Sequence, residues 1–517
     1  MSETTERAQP HLSSQLAQTF SLGNERLFVA AVLLSIAPLW FGQNLPMVDM
    51  PQHAAQITAL REIWAGNPSF TQLFQVNWFT PYLLGYMLLY AASLIMPVAV
   101  ASQVIVSASL VAVPLLTGSL LRAAGADERW KWLSIPGAFS FAFYWGFLSF
   151  LVAVPFGLLF LIQAIRFADA PTVRKGLGVA AASLALFFCH IIVLGFASLM
   201  ALGYIAGAHY RDRKALFFRA LPYTAPLPVI AVWLFVTYSN EARVSSDPVV
   251  FGPFIARVFA LLLQPAGRDS FAPLCFLIVG SIALLPWLMG STLSRRPQRW
   301  LPFLLGLAVF MTAPHFVLST AYFYQRLGVF LVPLWLLVWD APTTPVRRPD
   351  WLAMPIVLVW MFLNTGRFAA FARETESFDN VLAQMEPGGR VASLVYDKGS
   401  PLFALPVYMH FPAWYQAKRA GVVDFNFADF YSLMVRYPAT EGARISEQVT
   451  WYPQLFDWNA NGGAKYDYFI IKANGDISPQ IFKEKLGSVQ LVARSEWWWL
   501  YRNNEKSAAK TAGVSSP

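Results

Sequence analysis

"VAVASQVIVSASLVAVPLLTGSLL", Val98 to Leu121, is a run of 24 residues without a charge. At about 1.5 Å per helical residue it is long enough to cross the roughly 30 Å hydrocarbon layer of a bilayer. Arg122 follows it directly, as a charge at the headgroup boundary would. Further apolar runs lie at Leu27–Phe41, Tyr82–Met96, Trp132–Phe147, Ser149–Ile165, Gly176–Phe188, Ile191–Ala208, Ala220–Tyr238, Pro273–Met289, Trp300–Thr312, Leu327–Trp339 and Trp351–Leu363. Several are short for a span, which predicts tilted, broken or partly submerged helices. The set predicts a polytopic α-helical membrane protein with about 11–13 transmembrane helices.

Composition points the same way. The 517 residues are 56% hydrophobic and 13% charged, against roughly 25% charged in a soluble chain. The net charge of +9 reads as loop Lys and Arg facing an anionic leaflet, and not as a nucleic-acid surface. Cys189 and Cys275 both lie in apolar runs, which argues against a disulfide framework or a thiolate metal site. Residues 1–25 are polar and precede a run with no small-residue cleavage site. They read as a cytoplasmic tail before a retained helix.

Basic residues set the orientation. Arg122, Arg129 and Lys131 form one cluster, Arg166, Arg174 and Lys175 the next, then Arg211, Arg213, Lys214 and Arg219, then Arg295, Arg296 and Arg299, then Arg347 and Arg348. Alternate turns carry them, as a cytoplasmic face should. The first outer loop, 42–81, holds one basic residue, Arg61, and the second, 239–272, holds Arg243, Arg257 and Arg268. Arg243, Asp247, Arg257 and Arg268 of the second loop read as solvated. "FGPFIARVFALLL" in the second loop reads as an interfacial amphipathic helix. Two crossings between Tyr82 and Leu121 would put the Arg122 cluster outside, so either that region crosses an odd number of times or the Arg122 cluster departs from the pattern.

The membrane module ends near residue 364. From there "GGRVASLVYD", "KYDYFIIKA", "VQLVARS" and "EWWWLYR" alternate as strands, after a helical "ESFDNVLAQME". They predict an extracytoplasmic α/β domain over 365–503, followed by a disordered polar tail, 504–517.

Chemistry concentrates at two places. "VDMPQHAAQI", Val48–Ile57, sets Asp49, Pro51, Gln52 and His53 just after the first apolar run. Locally this is a capping box, with Asp49 as N-cap and Gln52 closing it, for a helix to about Trp64. It also sets a carboxylate near the bilayer surface, beside Trp64, Trp78 and Tyr82, where desolvation favours base chemistry. "HFVLSTAYFYQRLGVFLVP", His315–Pro333, sets Tyr322, Tyr324, Gln325 and Arg326 at the mouth of an apolar run. It reads either as a snorkelling aromatic-belt anchor or as a phosphate-binding fork. His190 separates two apolar halves and reads as a histidine satisfied in the bundle or as one brought to the outer surface. There is no phosphate-cradling glycine loop, dinucleotide fingerprint, zincin motif or nucleophile elbow.

The order of parts resembles the GT-C superfamily of integral-membrane glycosyltransferases. An Asp in the first outer loop, a multi-span core, an Arg opening a late span and a C-terminal α/β domain carry the likeness. More narrowly it is similar to the bacterial members that use polyprenyl-phosphate sugars. The resemblance implies a GT-C-like module over 26–364 in the bacterial cytoplasmic (inner) membrane, with the C-terminal domain outside. It implies a glycosyltransferase that moves a sugar from a polyprenyl-phosphate donor to a glycan, lipid or protein acceptor. Asp49 matches the family's first-loop acid and would be the general base, with His53 as second polar partner. Arg326, with Tyr324 and Gln325, would bind the donor phosphate. His190, His315, Tyr322, Trp78 and Tyr82 would line the cavity. Many members carry an acidic pair where this chain has Met50 after Asp49. That favours a metal-independent base over a divalent metal, Mg or Mn, at Asp49. A transporter or flippase of a lipid-linked saccharide and a non-catalytic assembly protein are the alternatives.

Overall fold

The computed structural model describes residues 24–240, 248–267, 272–318, 320–342, 353–438 and 445–506. The expectations for Arg243, Asp247, Arg268, Arg347, Arg348 and both chain ends lie outside these residues.

The chain has the fold class of a polytopic α-helical membrane protein with a strand-containing C-terminal domain. Among the described residues, four helices are long and apolar enough to cross a membrane: Val98–Ala124, Leu148–Asp169, Ile191–His209 and Ala353–Ala383. The pair Arg213–Thr224 and Leu227–Thr237, bent by 43°, makes a fifth if it is one span. Other apolar runs are shorter helices, among them Leu83–Ser93, Pro297–Thr312 and Gly328–Leu336. Within the stretch from Tyr82 to Leu121, Val98–Ala124 is long enough to cross and Leu83–Ser93 is a shorter apolar helix. The Trp132–Phe147 run is not one helix. It breaks into Glu128–Leu133, Ser134–Ala138 and Phe141–Trp145, because Pro136, Gly137 and Gly146 interrupt it. Inside Val98–Ala124, Pro114 removes one backbone donor. The small polar side chains there return their hydrogens to their own helix, Ser102 Oγ to Val98 O at 2.8 Å and Thr117 Oγ1 to Val113 O at 2.8 Å.

The chain divides into two compact units. The first comprises Met1–Pro38, Ser107–Phe143 and Phe150–Gly366. Ile191–His209 packs closely on Pro297–Thr312, where a Cβ on Gly207 would lie 2.5 Å from the Gln298 backbone. The "GYIAG" motif, Gly203–Gly207, is what permits that approach. Arg299 is not a solvated loop charge. It is fully buried and donates to Leu337 O (2.7 Å), Gly125 O (3.1 Å), Trp339 O (2.5 Å) and Asp340. Cys189 and Cys275 are buried and unbridged.

The second unit comprises Leu39–Val106, Tyr144–Ser149 and Arg367–Pro517. Its sheet has strands β1 (Arg390–Val395), β2 (Val422–Val423), β3 (Tyr468–Lys472), β4 (Val489–Ser495) and β5 (Trp498–Asn503), in the order β2-β1-β3-β5-β4. β1 pairs in parallel with β2 and β3, and β5 runs antiparallel to β3 and β4. β1 and β3 are buried nearly throughout, as their continuous apolar runs require. Asp424 anchors the core. It is fully buried, accepts from Ile445 N at 2.7 Å and Tyr466 hydroxyl, and pairs with Arg390 (2.7 Å) and Lys465 (3.1 Å).

Candidate functional site

The helix Met50–Trp64 belongs to the second unit and is buried continuously from Met50 to Leu60. Such a helix must pair every polar side chain it buries. Gln52 donates to Phe425 O (3.1 Å) and accepts from Phe427 N (3.1 Å). One turn on, Gln56 accepts from Val435 N (2.9 Å) and donates to Asn426 Oδ1 (3.3 Å). Thr58 donates to Ala417 O at 2.9 Å, and Gln416 to Ala55 O at 3.2 Å. The expected capping box does not form. The Asp49 side chain makes no cap hydrogen bond, and Gln52 is engaged by the 425–427 backbone.

Asp49 is held through its main chain. Val48 N donates to Tyr144 O at 3.1 Å and Asp49 N to Trp145 O at 2.9 Å. Gly146 closes this turn at φ +89°, and a Cβ there would meet Asp49 N at 2.9 Å. The carboxylate is buried, with 7% of the residue exposed. His410 Nε2 lies 3.6 Å from its Oδ1. The His410 ring stacks on Phe425, with centroids 5.6 Å apart, and meets Phe427 edge to face at 5.5 Å. His53 meets the same Phe427 at 5.4 Å, and its Nδ1 shares a 2.7 Å hydrogen bond with the Tyr86 hydroxyl. Burial pushes the His410 imidazole down to about 3. The contact is therefore a carboxylate facing a neutral imidazole, not an ion pair. Trp78 is half exposed and stacks on Trp64 at 5.7 Å, and the Tyr82 backbone donates to Thr80 Oγ1 at 3.3 Å. Nothing in the local sequence marks His410, because it sits in the apolar "PVYMHFPAW" far along the chain.

The second cluster lies in the first unit, around the loop from His315 to Arg326. His315 N donates to Val250 O at 2.7 Å, and Phe323 N to His315 O at 3.0 Å. Tyr322 sits in the left-handed region at φ 56°, a strained conformation for a bulky residue, with its ring 4.9 Å from His315. Gln325 Nε2 and His315 Nδ1 are 2.7 Å apart. Burial and the nearby Arg257 charge lower His315, against the hydrogen bond with Gln325. Arg326 donates twice to Ala321 O, at 3.3 and 2.8 Å. Arg257 is not solvated as its loop position suggested. It is 3% exposed, donates to Ala313 O (2.7 Å) and Phe310 O (3.3 Å), and lies 4.4 Å over the Tyr324 ring. His190 is satisfied as a cap, its Nδ1 accepting from Ile192 N at 3.3 Å, and is near enough to Arg326 for that charge to act on it.

Among the described residues no three His, Cys, Asp or Glu side chains gather as a metal site would need. Beside the Asp49 carboxylate stands the His410 imidazole.

This architecture matches solved structures over nearly the whole chain. ArnT from Cupriavidus metallidurans bound to undecaprenyl phosphate superposes with a TM-score of 0.56, covering 95% of this chain and 98% of that one at 11% identity. Its apo state gives 0.55 with the same identity and coverage. At that identity the likeness is one of fold. No family model and no curated protein matches the sequence.

Proposed function

We propose that the protein transfers a sugar from a polyprenyl-phosphate donor to an acceptor hydroxyl on a glycan, lipid or protein outside the bacterial cytoplasmic membrane. The single observation that supports this most is the buried Asp49 carboxylate, on a fold shared with a protein solved with undecaprenyl phosphate bound. Asp49 takes the acceptor's hydroxyl proton as that oxygen attacks the anomeric carbon. The bond from that carbon to the donor phosphate breaks, and the polyprenyl phosphate leaves with the electron pair. Arg326, with Tyr324 and Gln325, neutralises the departing phosphate. A lipid phosphate needs no nucleotide fold, and the sequence carries no motif for one. Its sugar phosphate arrives at the interface while its tail stays in hydrocarbon.

The first test is binding of undecaprenyl phosphate to the purified protein in nanodiscs. The reading expects saturable binding that Arg326→Gln weakens about tenfold or more, the scale of a lost charge-assisted contact. Equal binding by both proteins contradicts the Arg326 role. Net movement of a labelled undecaprenyl-phosphate sugar across proteoliposomes without a new glycosidic bond would instead favour a flippase.

A further inference from the structure

We propose that His410 is a positioning residue for Asp49, its Nε2–H directed at the carboxylate and fixing the direction in which that group faces its substrate. The inference rests on the reading of Asp49 as the base.

Three observations carry it. His410 Nε2 stands 3.6 Å from Asp49 Oδ1, while the other ring nitrogen, Nδ1, is buried without a hydrogen-bond partner. A neutral imidazole has one donor and one acceptor nitrogen. Placing the proton on Nε2 aims the donor at an anion and leaves only a lone pair unpaired. The reverse tautomer would bury an unpaired N–H and turn a lone pair towards the carboxylate, which costs more on both counts. The ring itself cannot wander, because Phe425 covers one face and Phe427 meets it edge to face. Phe427 also packs on His53, and Gln52 holds the Phe425 and Phe427 backbone. The helix that begins beside Asp49 thus fixes the residues that aim His410 back at it. A buried base needs a donor of this kind. Desolvation alone would favour its protonated, unreactive form.

Two arms test this on the full chain in nanodiscs. In the first, nitrogen-15 NMR of histidine-labelled protein, with the His410 signal identified by its loss in His410→Phe, is expected to show the Nε2-protonated tautomer and a changed Nε2 shift in Asp49→Asn. A proton on Nδ1 overturns the proposal. In the second, release of undecaprenyl phosphate is followed from a panel of undecaprenyl-phosphate hexoses and pentoses. His410→Phe keeps the aromatic stack and removes the donor, so it should lower kcat about tenfold or more with donor KM unchanged, as expected for a lost interaction made at the reacting centre. His410→Gln, which restores an N–H, should recover most of the loss while melting no higher than His410→Phe. Wild-type kcat in His410→Phe, with Asp49→Asn inactive, overturns the positioning role and spares the base. Full activity in Asp49→Asn overturns the base reading, and the NMR arm then decides the contact by itself.

Discussion

Gly146 and Asp49 are locked together. The Gly146 φ of +89° lets the chain turn so that Trp145 O reaches Asp49 N, and a Cβ on Gly146 would stand 2.9 Å from that same nitrogen. Gly146→Ala therefore meets both a conformational penalty and a backbone collision. It is expected to cost about 1–3 kcal/mol and to reduce sugar transfer by shifting Asp49. Thermal melting and transfer assays on the variant check this, and an unchanged melting temperature refutes the fit.

The pairing of Gln52 with the 425–427 backbone makes a second prediction. Gln52→Leu leaves Phe427 N and Phe425 O buried without partners. Unmet buried groups cost about 1–3 kcal/mol each. Melting and limited proteolysis of the C-terminal region should both show the loosening. A variant as resistant as wild type would mean that the contact contributes nothing.

Asp424 meets two cations, a hydroxyl and a backbone N–H in the core. Asp424→Ala leaves the Arg390 and Lys465 charges without it and should destabilise the second unit by about 3–5 kcal/mol. Denaturation followed by the near-ultraviolet signal of its many Trp and Tyr residues reads this directly. A loss below about 1 kcal/mol, the scale of an exposed pair, is the contrary result.

His410 gives a pH dependence with a definite sign. Burial lowers its pKa from 6.5 to about 3. Between those values an unfolded chain binds a proton that the folded chain does not. Stability is therefore complete above pH 6.5 and falls as the pH drops towards 3. At pH 5 the loss is about 2 kcal/mol. His410→Phe should show a smaller fall in melting temperature between pH 7.5 and pH 5 than wild type. Equal falls in the two proteins assign the effect elsewhere.

The parts legible in sequence are those fixed by local pattern. The 24 uncharged residues from Val98 leave the chain no soluble alternative, and the alternating C-terminal segments fall within two or three residues of their strands. Trp132–Phe147 misled because hydropathy registers apolarity and not the break imposed by Pro136, Gly137 and Gly146. Arg257 and Arg299 sit in segments that read as exposed, and their burial rests on tertiary partners, carbonyls for Arg257 and carbonyls with the Asp340 carboxylate for Arg299. Asp49 could be singled out by its loop, although its capping box could not survive the competing partner for Gln52. His410 was invisible for a related reason. A histidine in an apolar stretch carries no signal until the fold brings a carboxylate from the other end of the chain to it.

The proposed function turns on Asp49 as the base of a sugar transfer from a polyprenyl phosphate. The most direct measurement compares wild type and Asp49→Asn in nanodiscs for sugar transfer and for undecaprenyl phosphate binding. Asn, nearly the same size and unable to take a proton, is expected to abolish transfer while the protein melts normally and still binds the lipid. Transfer at the wild-type rate by Asp49→Asn would contradict it.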